Sequence, residues 1–463
     1  MTDRDRDLEL GEGDRVEVVV EAPAHGGHCV ARLDGRVLFV RHALPGERVT
    51  AEITEWHRSF LRADAVEILE PSPDRVAPPC PYAHPGGCGG CDLQHVSGDA
   101  QLRWKAEVVA EQLRRLAKLH FPVRVEALPT AAAEPVPGSR LLGWRSRVRY
   151  AVDAAGHAGL LQHRSHQVVP IDRCRIAHPA IQELDLLSRE WPADDAIEVV
   201  ASTGGDLTVL TRPSRGAADA LVEAGESLGR ESLGRGSLGR GSLGRASLGA
   251  GSALTGDPVD FAAAGGRRAR LAGPAEVVEE AVERRWSVPP EGFWQVHPAA
   301  ADTLAAAVVE LLRPVEGETA WDLYGGAGLF AAAVTAHTGA RTTLVESSAA
   351  GCAAARANLA DLPTVEVVEG RVETALQRRR VTGPVDLVVL DPPRAGAGAR
   401  VVRGIAGARP RAVAYVACDP AALARDVGTF LGLGWRLTEL RAFDCFPMTQ
   451  HVECVALLEP DEA

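Results

Sequence analysis

The chain from about residue 298 onward consists of short apolar runs that alternate with alanine-rich stretches. Seven of these runs have the composition of buried strands: TAWDLY, TTLVE, TVEVVE, VDLVVLD, AVAYVAC, WRLTELRAF and HVECVALLE. Alternation of strands and helices is typical of parallel sheets with helices on both faces. The pattern therefore predicts a seven-stranded, Rossmann-like α/β domain, in which ligands bind at the carboxyl ends of the strands.

A glycine-rich segment follows the first of these strands. It reads DLYGGAGLF over residues 322–330, and Glu346 ends the next strand, 22 residues after Tyr324. Glycines let a ligand approach the backbone closely, and the start of the following helix offers free N–H groups. A carboxylate at that distance commonly binds ribose hydroxyls. The segment predicts a nucleotide-type site, although the glycines alone also fit the dinucleotide pattern GxGxxA.

Two acidic positions favour a cationic ligand over NAD. Asp322 lies three residues before the first glycine, and Asp391 opens the sequence Asp-Pro-Pro-Arg at the tip of the fourth predicted strand. That second motif has no role in hydride transfer, and its position predicts that Asp391 faces the ligand pocket. A rigid turn built on two prolines is the structural alternative.

The segment AVAYVACDPAALARD places Cys418 at the end of the fifth predicted strand. Asp419 is a suitable N-cap and Pro420 a suitable first helical residue. A helix N-terminus stabilises a thiolate, whereas the adjacent Asp419 opposes its formation. Many lone cysteines are only small buried residues. Because this one lies where ligands of the sheet bind, we predict that Cys418 is catalytic.

The last predicted strand carries an acidic residue among apolar ones. His451, Glu453 and Val455 would share one face, because side chains alternate along a strand. An ionised Glu beside Val-Ala-Leu-Leu is costly to bury unless it is paired or functional. Glu453 is therefore the second candidate catalytic group, and an exposed strand face is the alternative.

The N-terminal region, residues 8–72, contains several short β-like runs separated by Gly and Pro. This pattern predicts a small closed β-barrel of the OB type, a fold that often binds RNA, and a purely structural β-module is the alternative. A proline-rich break then opens a central α+β region, residues 73–285. The third region, residues 286–463, comprises the predicted α/β domain with the candidate catalytic groups.

The central region combines a predicted helix at about 99–118, strands between 140 and 215, and a repeat of SLGR-like pentapeptides at 226–250. The repeat fits neither helix nor strand, and we interpret it as a flexible insertion. Seven arginines lie between Arg140 and Arg175, with Trp144 and Tyr150 interleaved. This stretch predicts RNA backbone contact and base stacking, and a solvated sheet face is the alternative.

Four cysteines form the spacing C-x7-C-x2-C plus a distant fourth: Cys80, Cys88, Cys91 and Cys174. Glycines bracket Cys88 and allow tight wrapping around an inorganic group. Four thiolates suit either zinc or an iron–sulfur cluster, and the spacing alone does not decide between them or exclude a site without metal.

The net charge of −12 does not favour an indiscriminate nucleic-acid binder, so any RNA contact must come from a local basic face. The polar N-terminus lacks the apolar core of a secretory signal, and no apolar run reaches the length of a membrane span. The sequence therefore predicts a cytoplasmic protein without a membrane partner. It implies no obligate protein partner.

Five motifs together resemble the bacterial RNA uracil-5 methyltransferase family, and the resemblance covers most of the chain. They are FWQVH (293–297), DLYGGAGLF (322–330), DPPR (391–394), ACDPAALARD (417–426) and FPMTQHVECVALL (446–458). The resemblance implies an N-terminal TRAM domain, which is the family's OB-like RNA-binding barrel. It also implies a class I methyltransferase fold for the seven-stranded domain.

The resemblance further implies roles for individual residues. Binding of S-adenosylmethionine would fall to Gln295, Tyr324, Glu346 and Asp391. Cys418 would be the nucleophile that adds to the uracil ring, and Glu453 would be the base. Similar family members carry a [4Fe–4S] cluster on cysteines that match Cys80, Cys88, Cys91 and Cys174. The combination of barrel and cluster resembles the ribosomal-RNA branch more than the transfer-RNA branch, which favours 23S rRNA as substrate.

Three positions depart from the family pattern. Gly325 stands where the family usually has Cys, Ala417-Cys418-Asp419-Pro420 where Ser-Cys-Asn-Pro is common, and His297 where Asn is frequent. None removes a reacting group, although Asp419 bears on how readily the thiolate forms. A radical methylthiotransferase is disfavoured because its C-x3-C-x2-C motif is absent, and the motifs around Cys418 and Glu453 disfavour a cytosine-5 methyltransferase. A catalytically silent RNA-binding protein is the alternative from another class.

Overall fold

The computed structural model describes residues 10–129, 141–191, 196–212, 269–381 and 384–461. The predicted repeat insertion at 226–250 and Arg140 of the basic stretch lie outside these ranges. Within them, no helix is both long enough and apolar enough to cross a membrane.

Five strands close into a barrel at the N-terminal end of the chain. The strand order is β1-β2-β3-β5-β4, and β3 pairs in parallel with β5. Alternate side chains point inward, so that Val18, Leu38 and Ile53 are almost fully buried. The closed barrel predicted from the sequence is confirmed. Its strands are β1 (Arg15–Ala24), β2 (His28–Leu33), β3 (Arg36–Arg41), β4 (Arg48–Trp56) and β5 (Phe60–Glu70).

A six-stranded antiparallel sheet forms the middle of the molecule, in the order β12-β11-β10-β7-β8-β9. A short helix and a separate hairpin accompany it. The strands are β7 (Arg147–Val152), β8 (Ala158–Leu161), β9 (Val168–Pro170), β10 (Ala196–Ala201), β11 (Leu207–Arg212) and β12 (Ala269–Ala272), and the hairpin is β13 (Val277–Ala281) with β14 (Arg284–Val288).

The aromatic rings of the basic stretch do not face solvent. Trp144 and Tyr150 are only 5% and 2% exposed and belong to the core of this sheet. Arg147 bonds to Glu279 and to the carbonyl oxygens of Pro290 and Gly292. The prediction that these rings stack on RNA bases is therefore wrong, because both rings are buried in this core.

The C-terminal sheet contains all seven predicted strands, in the order β17-β16-β15-β18-β19-β21-β20. The first five in this order pair in parallel, and β21 inserts antiparallel between β19 and β20. The strands are β15 (Ala320–Leu323), β16 (Thr342–Glu346), β17 (Val365–Glu369), β18 (Leu387–Leu390), β19 (Ala412–Ala417), β20 (Trp435–Asp444) and β21 (Glu453–Pro460). The predicted Rossmann-like sheet is confirmed, except that β21 begins at Glu453 and leaves His451 in the preceding loop.

Helices cover both faces of this sheet, and the core clusters on its two sides account for most of the buried apolar residues. In chain order, the described helices are α1 (Gly98–Gln112), α2 (Pro179–Gln182), α3 (Ala300–Leu312), α4 (Leu329–Thr338), α5 (Ala349–Asn358), α6 (Val372–Gln377), α7 (Gly398–Ala408) and α8 (Pro420–Leu431).

Part of the predicted central region packs with the C-terminal sheet. Helix α1 continues into a π-helical turn (Leu113–Ala117) that contacts α8, and β6 (Val125–Ala127) pairs with β20 as an eighth strand. Val109 and Leu113 are buried in the same core as the sheet. Helix α1 therefore links the cysteine-rich segment to the edge of the C-terminal sheet.

Candidate active site

The carboxyl ends of four strands bring the predicted site residues to one edge of the sheet. Tyr324 follows β15, Glu346 ends β16, Asp391 follows β18, and Cys418 follows β19. The register pairs Leu323 with both Val345 and Leu390, and Leu390 in turn with Tyr415. These strands therefore end at nearly the same level, and the side chains that follow them meet in one place.

Cys418 follows β19, and Glu453 begins the neighbouring strand β21. Ala417 of β19 pairs with Cys454 of β21, and because the two strands are antiparallel, the residue after Ala417 lies opposite the residue before Cys454, so Cys418 lies opposite Glu453. Glu453 is only 3% exposed, and Cys418 is half-buried. The antiparallel insertion of β21 is thus what brings a thiol and a carboxyl together.

This part of the site is acidic and poorly solvated. Burial, followed by the charges of Glu453 and Asp391, raises the pKa of Cys418 to about 12. Burial also raises the pKa of Asp391 to about 7 and raises the pKa of Glu453 well above its usual range, where Asp391 adds to the effect. Arg394 opposes the shift at both Glu453 and Cys418. A cation bound here would favour the ionised forms of all three groups.

Asp419 caps the helix that follows the nucleophile candidate. Its Oδ1 accepts a hydrogen bond of 2.7 Å from the N–H of Ala422, and Pro420 is the first residue of α8. The predicted cap is confirmed. Its Oδ2 lies 3.1 Å from Nε2 of His25 in the barrel. Burial opposes ionisation of Asp419, but the hydrogen bonds from His25 and Ala422 leave its pKa below the usual range.

The glycine-rich turn contains a buried carboxyl with a free oxygen. Oδ2 of Asp322 accepts a hydrogen bond of 2.8 Å from the N–H of Ala331, whereas Oδ1 is buried without a hydrogen-bond partner. Burial raises the pKa of Asp322 to about 7. An unpaired buried carboxyl oxygen is costly, and it suits a site that receives a positively charged ligand.

Glu346 is held by the same turn. It accepts hydrogen bonds from the N–H groups of Gly326, at 3.1 Å, and Ser348, at 2.6 Å. A side chain added to Gly326 would meet no atom within 4 Å, so the turn borders open space. In contrast, a side chain at Gly325 would clash with Leu344, which explains why glycine rather than cysteine stands there. These residues fit the nucleoside of S-adenosylmethionine.

Tyr324 and Gln295 are two further residues predicted to bind the methyl donor. Tyr324 adopts a left-handed backbone (φ 67°), which is uncommon for a bulky residue, and burial raises its pKa to about 12. Gln295 is 8% exposed, and the backbone of its segment bonds to the central sheet between Ser146 N–H and Val296 C=O, at 2.8 Å. Phe293, two residues earlier, is 70% exposed.

Asp426 supports the segment that follows Asp391, a role that no local sequence pattern indicates. Its Oδ2 accepts hydrogen bonds from the Tyr415 hydroxyl, at 2.7 Å, and from the N–H groups of Ala397, at 2.8 Å, and Gly398, at 3.2 Å. Because Asp426 lies on α8, the helix behind the nucleophile candidate also fixes the loop that carries Arg394.

The loop before Glu453 is anchored by the cysteine-rich segment and α1. The N–H groups of Asp92 and Leu93 donate to the carbonyl oxygen of Met448, at 3.1 and 2.9 Å, and Gln101 Oε1 accepts from the N–H of Met448, at 2.8 Å. Lys105 Nζ bonds to the carbonyl oxygen of Phe446, at 3.0 Å. Sequence analysis missed these anchors because each joins distant parts of the chain.

The four predicted metal-binding cysteines line one small pocket: Cys80, Cys88, Cys91 and Cys174. Burial raises the pKa of Cys88 to about 11 and raises the pKa of Cys91 and Cys174 as well. However, no group of three or more His, Cys, Asp or Glu side chains in the described ranges is arranged to hold a metal ion. Four thiols are a ligand set that suits zinc or an iron–sulfur cluster. The iron–sulfur cluster is not confirmed.

Two protein families match parts of this chain. The TRAM domain family matches residues 10–66, and the tRNA (Uracil-5-)-methyltransferase family matches residues 376–461, the range that contains Asp391, Cys418 and Glu453. An "uncharacterized RNA methyltransferase" of Streptomyces avermitilis is 47% identical over 457 residues, which cover 97% of this chain and 99% of that protein. The chain belongs to this family of RNA methyltransferases. A relative of the same description from Bifidobacterium longum is 36% identical, with 96% of each chain covered.

The overall architecture of this RNA methyltransferase is also found in a solved structure. The tRNA (uracil-54, C5)-methyltransferase of Pyrococcus abyssi, in complex with S-adenosyl-L-homocysteine, superposes with a TM-score of 0.64. The alignment covers 96% of this chain and all of that one, at 21% sequence identity. Barrel, central sheet and C-terminal sheet are therefore arranged in a known way, and the TRAM domain expected from the sequence is confirmed.

Proposed function

We propose that this methyltransferase transfers the methyl group of S-adenosylmethionine to carbon 5 of a uridine in RNA. The observation that carries the proposal is the position of Cys418 opposite the buried Glu453, one residue beyond the last pair of β19 and β21, at the edge of the sheet where ligands bind. A thiol and a carboxyl close together are the two groups that carbon-5 methylation of a pyrimidine requires.

The chemistry explains both groups. Carbon 5 of uracil is a weak nucleophile, and addition of the Cys418 thiolate to carbon 6 makes carbon 5 enolate-like. S-adenosylmethionine supplies an electrophilic methyl group, which carbon 5 accepts. Glu453 then removes the proton from carbon 5, the carbon 6–sulfur bond breaks, and the thiolate is released. The raised pKa of Glu453 suits this role, because its carboxylate is a stronger base than an exposed one.

The free thiol must lose its proton before it adds. Because the pKa of Cys418 is about 12 in the free protein, little thiolate is present at neutral pH. A positive charge beside Cys418 and Asp391 lowers the cost of ionisation, and the sulfonium of the methyl donor carries one. We infer that the thiolate forms after the donor is bound.

Four residues form the proposed donor site. Glu346 takes the ribose hydroxyls, since its carboxylate is already oriented by two backbone N–H groups. Tyr324, Gln295 and Asp391 surround the rest of the ligand, and the unpaired Oδ1 of Asp322 offers a further contact for its positive charge.

RNA is the proposed partner, and the barrel offers a surface for it. Arg36 lies 5.0 Å from the ring centre of the half-exposed Trp56, and Arg62 lies over Phe39 and Phe60. Arginine and aromatic groups together suit the backbone and bases of single-stranded RNA. The target uridine must leave its stack to reach Cys418, at a cost of a few kcal/mol, so a loop is the expected target.

We propose ribosomal RNA in the cytoplasm as the substrate, with transfer RNA as the alternative. The barrel together with the four-thiol pocket supports this choice through the resemblance described above. The names of the matching family and of the structural neighbour both refer to tRNA. The two RNA classes are distinguished by measuring 5-methyluridine in rRNA and tRNA that are purified separately.

The four-thiol pocket is proposed to hold a [4Fe–4S] cluster with a structural role. Cys80, Cys88, Cys91 and Cys174 would be its ligands, and Cys91 directly precedes Asp92, which anchors the active-site loop. Anaerobic purification followed by iron, sulfide and zinc assays tests the proposal. Iron and sulfide in equal amounts support it, and stoichiometric zinc without iron overturns it.

The covalent step is tested with RNA that contains 5-fluorouridine. The base cannot remove fluorine as it removes a proton, so the enzyme should remain bound to the RNA through carbon 6. The adduct should form with the full-length protein and the methyl donor, persist in a denaturing gel, and be absent in Cys418→Ala. Cys29→Ala, in the barrel core, serves as the matched control and should retain it. An adduct that survives Cys418→Ala would reject the assignment.

A further inference from the structure

The barrel reaches into the catalytic site through the turn between β1 and β2. His25 lies in this turn, and its Nε2 is 3.1 Å from Oδ2 of Asp419, the residue that follows the nucleophile. Gly27 of the same turn has a φ of 76°, and a side chain there would come within 2.7 Å of Asp92. The turn is therefore seated closely against the segment that also anchors the loop before Glu453.

The two oxygens of Asp419 have different partners. Oδ1 accepts from the N–H of Ala422 and caps α8, while Oδ2 accepts from His25. An ionised carboxylate can only accept, so Nε2 of His25 must carry the hydrogen in this pair. Both side chains are partly buried, at 34% and 24% exposure, which limits the screening of their interaction by water.

The charges that face Cys418 come from several elements. Glu453 is on β21, Asp391 and Arg394 are on the loop after β18, and Asp419 is the next residue in the chain. Three of these four groups are acidic, and the carboxyls each oppose formation of the thiolate. His25, which also faces His451, is the barrel's polar contact with this set. His25 bonds to Asp419, which is the carboxyl next to Cys418 in the sequence.

We propose that His25 is a positioning residue for the methyl transfer: its Nε2–H donates a hydrogen bond to the carboxylate of Asp419, which holds that carboxylate in the helix cap and weakens its negative field at Cys418. This inference rests on the proposed role of Cys418 as nucleophile. It makes the RNA-binding barrel a part of the catalytic apparatus, because withdrawal of the turn would leave Asp419 unpaired. Docking of the turn between β1 and β2 against Asp419 would then affect how readily Cys418 loses its proton.

The test compares His25→Ala, Asp419→Asn and the double variant with the parent, all as full-length proteins. Asn caps a helix as well as Asp does, so Asp419→Asn keeps the start of α8. His57→Ala is the control, since His57 is an exposed histidine of the same barrel whose carboxylate partner, Glu55, is also in the barrel. The first readout is the pH dependence of Cys418 alkylation by iodoacetamide, followed by mass spectrometry of the Cys418 peptide.

His25→Ala should raise the pH at which Cys418 is half-modified by about half a unit or more, because Asp419 loses the hydrogen bond that stabilises its negative charge. Asp419→Asn should lower it, because one of the opposing charges is gone. In the Asp419→Asn background, His25→Ala should have no further effect. A purely structural contact would instead change thermal stability in both backgrounds and leave the alkylation profile in place.

The second readout is the rate of adduct formation with 5-fluorouridine RNA at neutral pH. His25→Ala should slow it about threefold or more, with the loss recovered at higher pH. An unchanged alkylation profile in His25→Ala, or an effect of equal size with Asn at position 419, overturns the inference. Alkylation needs no RNA. A shifted alkylation profile without any adduct in the parent protein would therefore reject the proposed function and leave the coupling intact.

Discussion

Lys105 of α1 and Asp444 of β20 form a buried ion pair, with 2.5 Å between Nζ and Oδ1. Their side chains are 0% and 2% exposed, and 339 positions in the chain separate them. Lys105 also bonds to the carbonyl oxygen of Phe446, in the loop that leads to Glu453. The pair therefore ties the helix after the cysteine-rich segment to the wall of the active site.

Lys105→Met should strongly destabilise the protein. The substitution leaves the Asp444 carboxylate buried without a counter-charge, at a cost of about 3–5 kcal/mol. Chemical denaturation of the full-length protein measures the loss. Adding Asp444→Asn to this variant should restore part of it, because the uncompensated charge is then gone.

The chain's other lysine provides the matched control. Lys118 is exposed and bonds only to the carbonyl oxygen of Arg115, so Lys118→Met should change the stability by no more than about 0.5 kcal/mol. If both substitutions had equally small effects, the ion pair would contribute little and the account of this anchor would be wrong.

Asp322→Asn should weaken the binding of S-adenosylmethionine, by about tenfold or more, because the unpaired Oδ1 loses its charge. The amide oxygen can still accept from the N–H of Ala331, so the turn should keep its shape. Calorimetric titration with the donor measures the affinity. Asp361→Asn, in an exposed ion pair with Arg284, should leave it unchanged.

The same variant should alter how stability depends on pH. The folded-state pKa of Asp322, about 7, lies above the ordinary value of 3.8, so the folded protein holds this proton more tightly than the unfolded chain does. The carboxyl therefore costs stability increasingly as pH rises from about 4 to about 7. Without ligand, Asp322→Asn should be more stable than the parent above pH 7 and similar to it at pH 4. A constant difference across that range would contradict the raised pKa.

Glu453→Gln should separate addition from elimination. Cys418 can still add to carbon 6, but no base removes the proton from carbon 5, so a methylated covalent complex should accumulate with ordinary RNA. Denaturing gels and single-turnover kinetics measure the adduct and the product. Glu459→Gln, on the same strand but partly exposed beside Arg436, should turn over normally. Normal turnover of Glu453→Gln would move the base elsewhere.

The local features of the site could be predicted from the sequence. Each of these features depends on only a few neighbouring residues: the strand ends, the glycine turn, the cap at Asp419 and the start of α8 at Pro420. The carboxyl ends of parallel strands meet at one edge of a sheet. The predicted strands alone therefore place four residues at that edge: Tyr324, Glu346, Asp391 and Cys418.

The contacts that join distant segments could not be predicted in this way. His25 and Asp419 are 394 positions apart, and β6 joins a sheet whose other strands begin almost 200 residues later. Such pairings depend on how whole layers dock, which no local pattern specifies. The burial of Tyr150 was predictable, since Val148, Tyr150 and Val152 alternate with Arg147 and Arg149, and the arginine-rich composition obscured that alternation.

The most direct test of the central claim is mass spectrometry of nucleosides from rRNA and tRNA, purified separately. Cells with the gene, without it, and with Cys418→Ala in its place are compared. We expect 5-methyluridine to disappear from the rRNA fraction on deletion and to remain absent with Cys418→Ala. Loss from the tRNA fraction instead would keep the reaction and change the substrate. Unchanged 5-methyluridine in both fractions would contradict the proposed reaction.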